Sequence, residues 1–185
     1  MKFLVLLFAI MISIPATALA SPNKTESWRC DPLQVEYRLS DHQLYIMRRS
    51  YDFAVGDNLG YTLAAIAFKE SSAGVRLYNW NDPSAGVHHV LVDHVLNTLE
   101  MEHTPEHIEM GMEMLASNFY LSAHIALREL KWWINRHNGD WFRAVRSYNQ
   151  GHYWLIPKSE RVRSYNYARS VQEVVRFMKR ESCWR

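Results

Sequence analysis

A short run of small apolar residues most constrains how this chain folds. Residues 63–68 read Leu-Ala-Ala-Ile-Ala-Phe, and the pair Glu70-Ser71 follows almost at once. Three alanines within six positions let neighbouring helices pack closely around this segment, so the sequence predicts a buried helix. A carboxyl group at the end of such a helix is placed where its pKa can rise, so that it can donate a proton near neutral pH. The chain is therefore a candidate glycan-cleaving enzyme.

The first twenty residues have the pattern of a secretory signal peptide. Lys2 precedes an apolar stretch at residues 3–14, and Ala18-Leu19-Ala20 forms a small-residue cleavage site. The apolar stretch is shorter than the roughly 18 residues that a membrane-spanning helix needs. We expect an exported protein, periplasmic or extracellular, without stable membrane insertion. Residues 21–185 then suit one domain with its own core.

Charge and cysteine content add two expectations. The formal net charge of +2 falls to +1 without Lys2 and supports no claim about nucleic acid. Basic residues near the C-terminus favour a solvated helix face, with contact to an acidic wall polymer or a membrane as the alternative. Cys30 and Cys183 are an even pair in an exported chain, which predicts a structural disulfide.

The chain has a mostly helical, all-α pattern without repeats or linkers. Residues 21–39 are interpreted as an irregular N-terminal arm, and Ser40 as the N-cap of the first helix. We expect loops at 72–86 and 151–160 and no strand pair. The further helices are predicted at about 61–71, 87–99, 105–116, 118–137, 140–148 and 161–180.

An ordered set of short motifs follows the first helices. The chain resembles the soluble lytic transglycosylase domain, a lysozyme-like fold related to goose-type lysozyme, over about residues 60–178. That family carries a Glu-Ser pair at a helix end, then a Ser-x-x-Gly segment, an Asn-led helix, a Tyr-Asn-x-Gly motif and a later Tyr four residues before a Val. The matches here are Glu70-Ser71, Ser84-Ala85-Gly86-Val87, Asn118, Asn138-Gly139-Asp140-Trp141, Ser147-Tyr148-Asn149-Gln150-Gly151, and Tyr167 before Val171.

The resemblance implies a peptidoglycan lytic transglycosylase with a catalytic cleft. Glu70 would protonate the glycosidic oxygen between N-acetylmuramic acid and N-acetylglucosamine, and then act as base while the muramic 6-hydroxyl closes a 1,6-anhydro ring. No second carboxylate is needed, because water is not a reactant; most glycosidases use two.

Several residues are predicted to line this cleft. Tyr148 would orient the Glu70 carboxylate, Asn149 would hold an N-acetyl group, and Tyr167 or the nearby Tyr165 would face the site. His88-His89 departs from the family's Met-Gln, which changes the pH dependence expected of binding. The substrate-binding residues expected on the motifs are Ser71, Ser84, Gly86, His88, His89, Tyr148, Asn149 and Tyr167, with Gly86 permitting close backbone approach to the sugar.

Aromatic and histidine residues near the motifs allow further interpretations. Trp80 and Trp154 lie in predicted loops and are candidate walls of sugar subsites, whereas Trp132 and Trp133 lie within a helix and are expected in the core. His89 and Asp93 are one helical turn apart, yet no further residue completes a metal site. We therefore expect no metal and no cofactor.

Two other function classes remain open on the same fold. A hydrolase of peptidoglycan or chitin would need a second carboxylate to activate water, with Asp82 or Asp93 as candidates. A non-catalytic glycan-binding or assembly protein is the other alternative. Peptidoglycan glycan strands are the expected partner, and by analogy such enzymes serve secretion, conjugation or pilus machinery.

Overall fold

The fold is built from α-helices, as the sequence predicts. The computed structural model describes residues 30–152, 155 and 158–184; the predicted signal peptide and Trp154 lie outside them. The helices of the described part are α1 Asp31–Tyr37, α2 Asp41–Ala54, α3 Gly60–Ser71, α4 Asp93–Thr98, α5 Pro105–Ser117, α6 Phe119–Arg136, α7 Trp141–Gln150 and α8 Lys158–Arg180. None of them is long and apolar enough to cross a membrane.

Polar side chains begin most of the longer helices. The Ser40 hydroxyl accepts a hydrogen bond from the backbone N–H of Gln43 at 3.2 Å, and the Gln43 side chain accepts one from the Ser40 N–H at 3.0 Å. This reciprocal pair satisfies two backbone donors that the first helical turn leaves unpaired. Thr104 and Asp140 also cap α5 and α7, and Asn118 caps α6.

A small antiparallel sheet occupies the segment where we predicted a loop and a helix. Its strands are β1 Tyr78–Asn79, β2 Ser84–Ala85 and β3 Val90–Leu91, in the order β1-β2-β3. Tyr78 pairs with Ala85, and Ser84 pairs with Leu91. The prediction of no strand pair is therefore wrong, and the helix predicted over 87–99 is confined to Asp93–Thr98. His89 has a φ of +44°, which no right-handed helix accommodates, so the helix starts only at Asp93.

The α3 helix lies in the centre of the core, as its alanine-rich run predicts. Leu63, Ile66 and the three alanines between 64 and 67 are fully buried. The helix packs against α2, α6 and α8. Because small side chains allow close approach, three helices can surround the segment that ends at Glu70.

The two ends of the described chain are joined covalently. Cys30 and Cys183 form the predicted disulfide, which closes a loop across a sequence separation of 153. The expectation of an irregular arm is wrong for residues 31–37, which form α1. Pro32 lies in the first turn of α1, where its missing N–H costs no hydrogen bond, and Leu33 is fully buried.

Gly86 provides a test of the packing between the sheet and α5–α6. We expect Gly86→Ala to lower the free energy of unfolding by about 2–4 kcal/mol. The φ of Gly86 is +81°, and an added Cβ would lie 2.5 Å from the Leu115 carbonyl oxygen and 2.7 Å from the Ser122 hydroxyl. Chemical denaturation measures the loss. Gly56→Ala is the matched control, since nothing lies within 4 Å of a Cβ there; an equal loss in both variants would refute the packing argument.

Candidate active site

Glu70 lies in the last turn of α3 and is the centre of the candidate site. Its side chain is only 16% exposed. The Tyr167 hydroxyl, from α8, donates a hydrogen bond to Glu70 Oε1. Burial raises the pKa of Glu70 to about 7, against the opposing effect of the Tyr167 hydrogen bond and with a further increase from the charge of Glu129. A carboxyl with this pKa can both donate and accept a proton near neutral pH.

Tyr167 is the tyrosine of α8 that faces Glu70. Burial and the charge of Glu70 raise the pKa of Tyr167 well above its ordinary value, so its hydroxyl remains a donor. Tyr165 is exposed instead, and its ring packs on Phe142 with centroids 5.4 Å apart. Between the two tyrosines considered from the sequence, the structure therefore places Tyr167 at the site.

His89 lies on the other side of the Glu70 carboxyl group. Its Nδ1 is 3.8 Å from Glu70 Oε2, and its Nε2 is 2.7 Å from the Arg76 carbonyl oxygen. Since a carbonyl oxygen only accepts, Nε2 carries the hydrogen and Nδ1 presents a lone pair toward Glu70. Burial lowers the pKa of His89, so the ring is neutral at pH 7 and adds no positive charge that would favour the Glu70 carboxylate.

His88 was predicted in the cleft and is instead a core residue. Its side chain is fully buried, with its ring nitrogens 3.1 Å from the Ser50 hydroxyl and 3.3 Å from that of Ser122. Burial lowers its pKa to about 3, so the imidazole is neutral. The prediction that the His88 side chain binds substrate is therefore wrong. Neighbouring residues at the turn before β3 point in different directions, which the sequence alone does not reveal.

Tyr148 and Ser71 hold the segment that carries His89. The Tyr148 hydroxyl donates to the His88 carbonyl oxygen at 2.9 Å, rather than to Glu70 as predicted. The Ser71 hydroxyl donates to the Val87 carbonyl oxygen at 2.7 Å and accepts from the Gly74 N–H at 2.8 Å. These contacts fix the position of residues 87–89 relative to the end of α3. Both residues thus act on the shape of the site through the backbone.

For the remaining predicted substrate-binding residues, Ser84, Gly86 and Asn149, the described contacts are with residues other than Glu70. Ser84 is buried in β2 and accepts a 3.4 Å hydrogen bond from the Asn79 amide. Gly86 is buried against Leu115 and Ser122, so packing explains this glycine better than close approach to a sugar. Asn149 is half-buried and accepts from the Gln150 side chain at 3.2 Å.

Trp80 is exposed at the turn of the small sheet. Its side chain is 61% exposed, and its ring stacks on Tyr78 with centroids 5.9 Å apart. The Tyr78 hydroxyl donates to Glu113 at 2.7 Å, which ties this aromatic pair to α5. An open, ordered ring is suited to stacking on a sugar. Trp80 as a subsite wall stays a prediction.

Glu129 is a component of the site that sequence reasoning missed. It lies on α6, and its charge raises the pKa values of Glu70, Tyr148 and Tyr167. Its carboxylate is 3.6 Å from His94 Nε2 and accepts a 3.3 Å hydrogen bond from the Trp133 indole. Asp93, a predicted second carboxylate, instead pairs with His103 at 3.3 Å. The sequence signal that could have indicated Glu129 was its spacing from Trp132 and Trp133, three and four residues later on the same predicted helix.

An open pocket adjoins Glu129. It has a volume of about 380 Å³ and is lined by His94, Arg128, Glu129, Trp132 and Trp133. Trp133 is buried, as predicted, but Trp132 is 51% exposed, so its expected place in the core is wrong. The pocket thus presents an exposed indole beside a carboxylate, which is a surface suited to a sugar ring.

Comparisons with known proteins give one relative and no family. No protein-family model matches the chain, and no solved structure matches it. Among curated proteins, it is similar to an "Uncharacterized 20.7 kDa protein in vs-regB intergenic region" of Enterobacteria phage T4. The two are 29% identical over an alignment of 168 positions, and the alignment covers 78% of this chain and 84% of the phage protein.

Tyr167→Phe is expected to raise the pKa of Glu70 further. The lost hydrogen bond stabilises the carboxylate, and such bonds to charged groups contribute about 1.5–3 kcal/mol. A pH titration of the Glu70 carboxyl carbon by NMR measures the change. Tyr165→Phe, two residues away and packed on Phe142, should leave the titration unchanged. An unchanged pKa in Tyr167→Phe would contradict the assigned contact.

Glu70→Gln is expected to raise the free energy of unfolding at pH 8 but hardly at pH 4. The folded-state pKa of about 7 exceeds the ordinary 4.5. Ionisation of Glu70 therefore costs the folded state up to about 3 kcal/mol, a cost that grows between these two pH values and is complete above pH 7. Denaturation at both pH values tests this, with Glu109→Gln, exposed on α5, as control. Equal effects at the two pH values would contradict a raised pKa.

Proposed function

We propose that this protein is a peptidoglycan lytic transglycosylase with Glu70 as general acid and then general base. The observation that carries the proposal is the carboxyl group of Glu70, largely shielded from water, with a pKa of about 7 and a tyrosine donor on Oε1. At neutral pH a substantial fraction of Glu70 is protonated and ready to donate. The motifs shared with the lysozyme-like transglycosylases favour the same residue.

The reaction requires two proton transfers at Glu70. Protonated Glu70 gives its proton to the bridging oxygen as the bond from that oxygen to the muramic anomeric carbon breaks. The 6-hydroxyl oxygen then bonds to the anomeric carbon, and its proton returns to the Glu70 carboxylate. General acid–base catalysis of this kind contributes roughly 10²–10⁴ in rate. The Tyr167 hydroxyl stabilises the carboxylate between the two steps.

The surroundings of Glu70 suit this cycle. The neutral ring of His89 keeps positive charge away, and Tyr148 and Ser71 fix the backbone that carries His89. The exposed Trp132 offers a flat surface for a sugar beside Glu129. The Cys30–Cys183 disulfide favours an exported location, where the glycan strands of the wall are available. Service to a secretion, conjugation or pilus machine stays an analogy.

Hydrolysis is the second candidate, and Glu129 is the observation that favours it. A hydrolase activates water with a second carboxylate, and Glu129 is a carboxylate whose charge raises the pKa of Glu70. In that reaction water, rather than the 6-hydroxyl, would attack the anomeric carbon. The products would then end in a reducing sugar instead of an anhydro ring.

Product mass distinguishes these reactions. We expect purified peptidoglycan incubated with the protein to release muropeptides with 1,6-anhydro ends, which are lighter by one water than hydrolysed ends. Glu70→Gln should abolish them, because the amide cannot donate or accept the catalytic proton. Reducing-end products that require both Glu70 and Glu129 would identify a hydrolase. Unchanged activity in Glu70→Gln would refute the catalytic assignment.

A further inference from the structure

A second pocket lies where α6 ends and α7 begins, away from the Glu70 carboxyl group. Its volume is about 440 Å³, and its described lining consists of Arg136, His137, Arg143, Arg146, His152 and Leu155. No Asp or Glu is among these lining residues. We call it the basic pocket.

The basic pocket carries net positive charge. Asp140 pairs with Arg143 at 3.4 Å and offsets one of the three guanidinium groups. The pKa of His137 is lowered by burial first and by the charge of Arg143 second, and the pKa of Arg146 is lowered by burial and then by its arginine neighbours. The cationic groups therefore repel one another, and an anion between them would relieve this repulsion.

One guanidinium of the pocket is held in position. Arg146 Nε donates to the Ser164 hydroxyl at 3.2 Å, and its Nη2 donates to the Arg161 carbonyl oxygen at 3.1 Å. Arg136 and Arg143 are exposed beside it. A fixed planar donor next to two exposed guanidinium groups suits the planar geometry of a carboxylate.

The Trp133 indole lines the pocket beside Glu129 and contacts two residues that line the basic pocket. The Trp133 ring stacks on His137 with centroids 5.8 Å apart and contacts His152 at 4.8 Å. Its indole nitrogen donates to Glu129 at 3.3 Å. The basic pocket thus lies beside the path that a glycan strand would follow past Glu129.

We propose that the basic pocket binds a carboxylate of the peptide substituents that project from the glycan strand. This inference rests on the proposed function for the identity of the strand. The peptides of peptidoglycan end in carboxylates several bonds from the sugar, whereas a stripped strand retains only the lactyl carboxylate of each muramic residue, held next to the sugar ring. The pocket would therefore make the protein prefer strands that still carry their peptides.

The test measures binding by calorimetry in the Glu70→Gln protein, which does not consume its ligand. The double variant Arg136→Ala/Arg143→Ala is compared with Arg169→Ala/Arg176→Ala, which removes equal charge from exposed positions on α8. We expect the first double variant to bind peptide-bearing glycan oligomers about tenfold more weakly, as for one lost charge-assisted contact. Its binding to peptide-stripped oligomers, and both affinities of the α8 variant, should be unchanged.

Other outcomes would overturn the proposal. Equal weakening on both glycans would make the pocket a sugar site, and equal weakening in the α8 variant would indicate net charge alone. If Glu70→Gln binds neither glycan, the proposed function fails, and NMR titration of the His137 and His152 imidazoles with acetate and with inorganic phosphate decides the site. Acetate shifts that vanish in Arg136→Ala/Arg143→Ala would retain a carboxylate site; shifts with phosphate alone, or with neither, would refute it.

Discussion

The close packing of α3 against three other helices determines where the rest of the site lies. Its alanines are fully buried, so α2, α6 and α8 can approach its axis. Because α8 lies against α3, Tyr167 reaches Glu70 from a position 97 residues later in the chain. The charge of Glu129 reaches the same cluster from α6. The carboxyl group is desolvated as a consequence of this packing, and its raised pKa follows from desolvation.

The environment of Glu70 limits how strongly its charged form is favoured. A cationic histidine beside a carboxylate would lower the carboxyl pKa, yet the structure keeps both neighbouring imidazoles neutral by burial. His88 is enclosed between two serine hydroxyls, and the Nε2 of His89 is committed to a carbonyl oxygen. Tyr167 supplies one hydrogen bond without adding positive charge. The surroundings therefore allow both the protonated and the ionised form of Glu70, which is the property that an acid–base residue needs.

Local sequence signals predicted most of the helices and the position of Glu70 at the end of a buried one, because the relevant physics lies within a few residues. Caps such as Ser40 and the alanine run around residue 65 act through neighbouring backbone and side-chain volume. The small sheet was missed because strands of two residues carry no periodicity. The positive φ of His89, which excludes a helix there, has no signature in a non-glycine residue. Such a conformation is imposed by contacts with distant segments.

The side-chain directions within the site were harder to predict than the identities of its residues. His88 and His89 are adjacent in sequence, yet one is enclosed in the core and the other faces Glu70. The role predicted for Tyr148 belongs to Tyr167, since Tyr148 donates to a backbone carbonyl and Tyr167 donates to the carboxyl group. A motif conveys which residues share a region, whereas their hydrogen-bond partners depend on how separate helices meet.

The surface of α6 presents an extended set of side chains at the two pockets. Glu129, Trp133 and His137 succeed one another at intervals of four residues, which places them along one side of the helix over about 12 Å. The charge of the first raises the pKa of Glu70, the second lines the pocket beside Glu129, and the third lines the basic pocket. A ligand that contacts all three must extend along the helix. On the proposed function, binding energy gained at the far end can then position the scissile bond at Glu70, which lets contacts remote from the reacting atoms contribute to the rate.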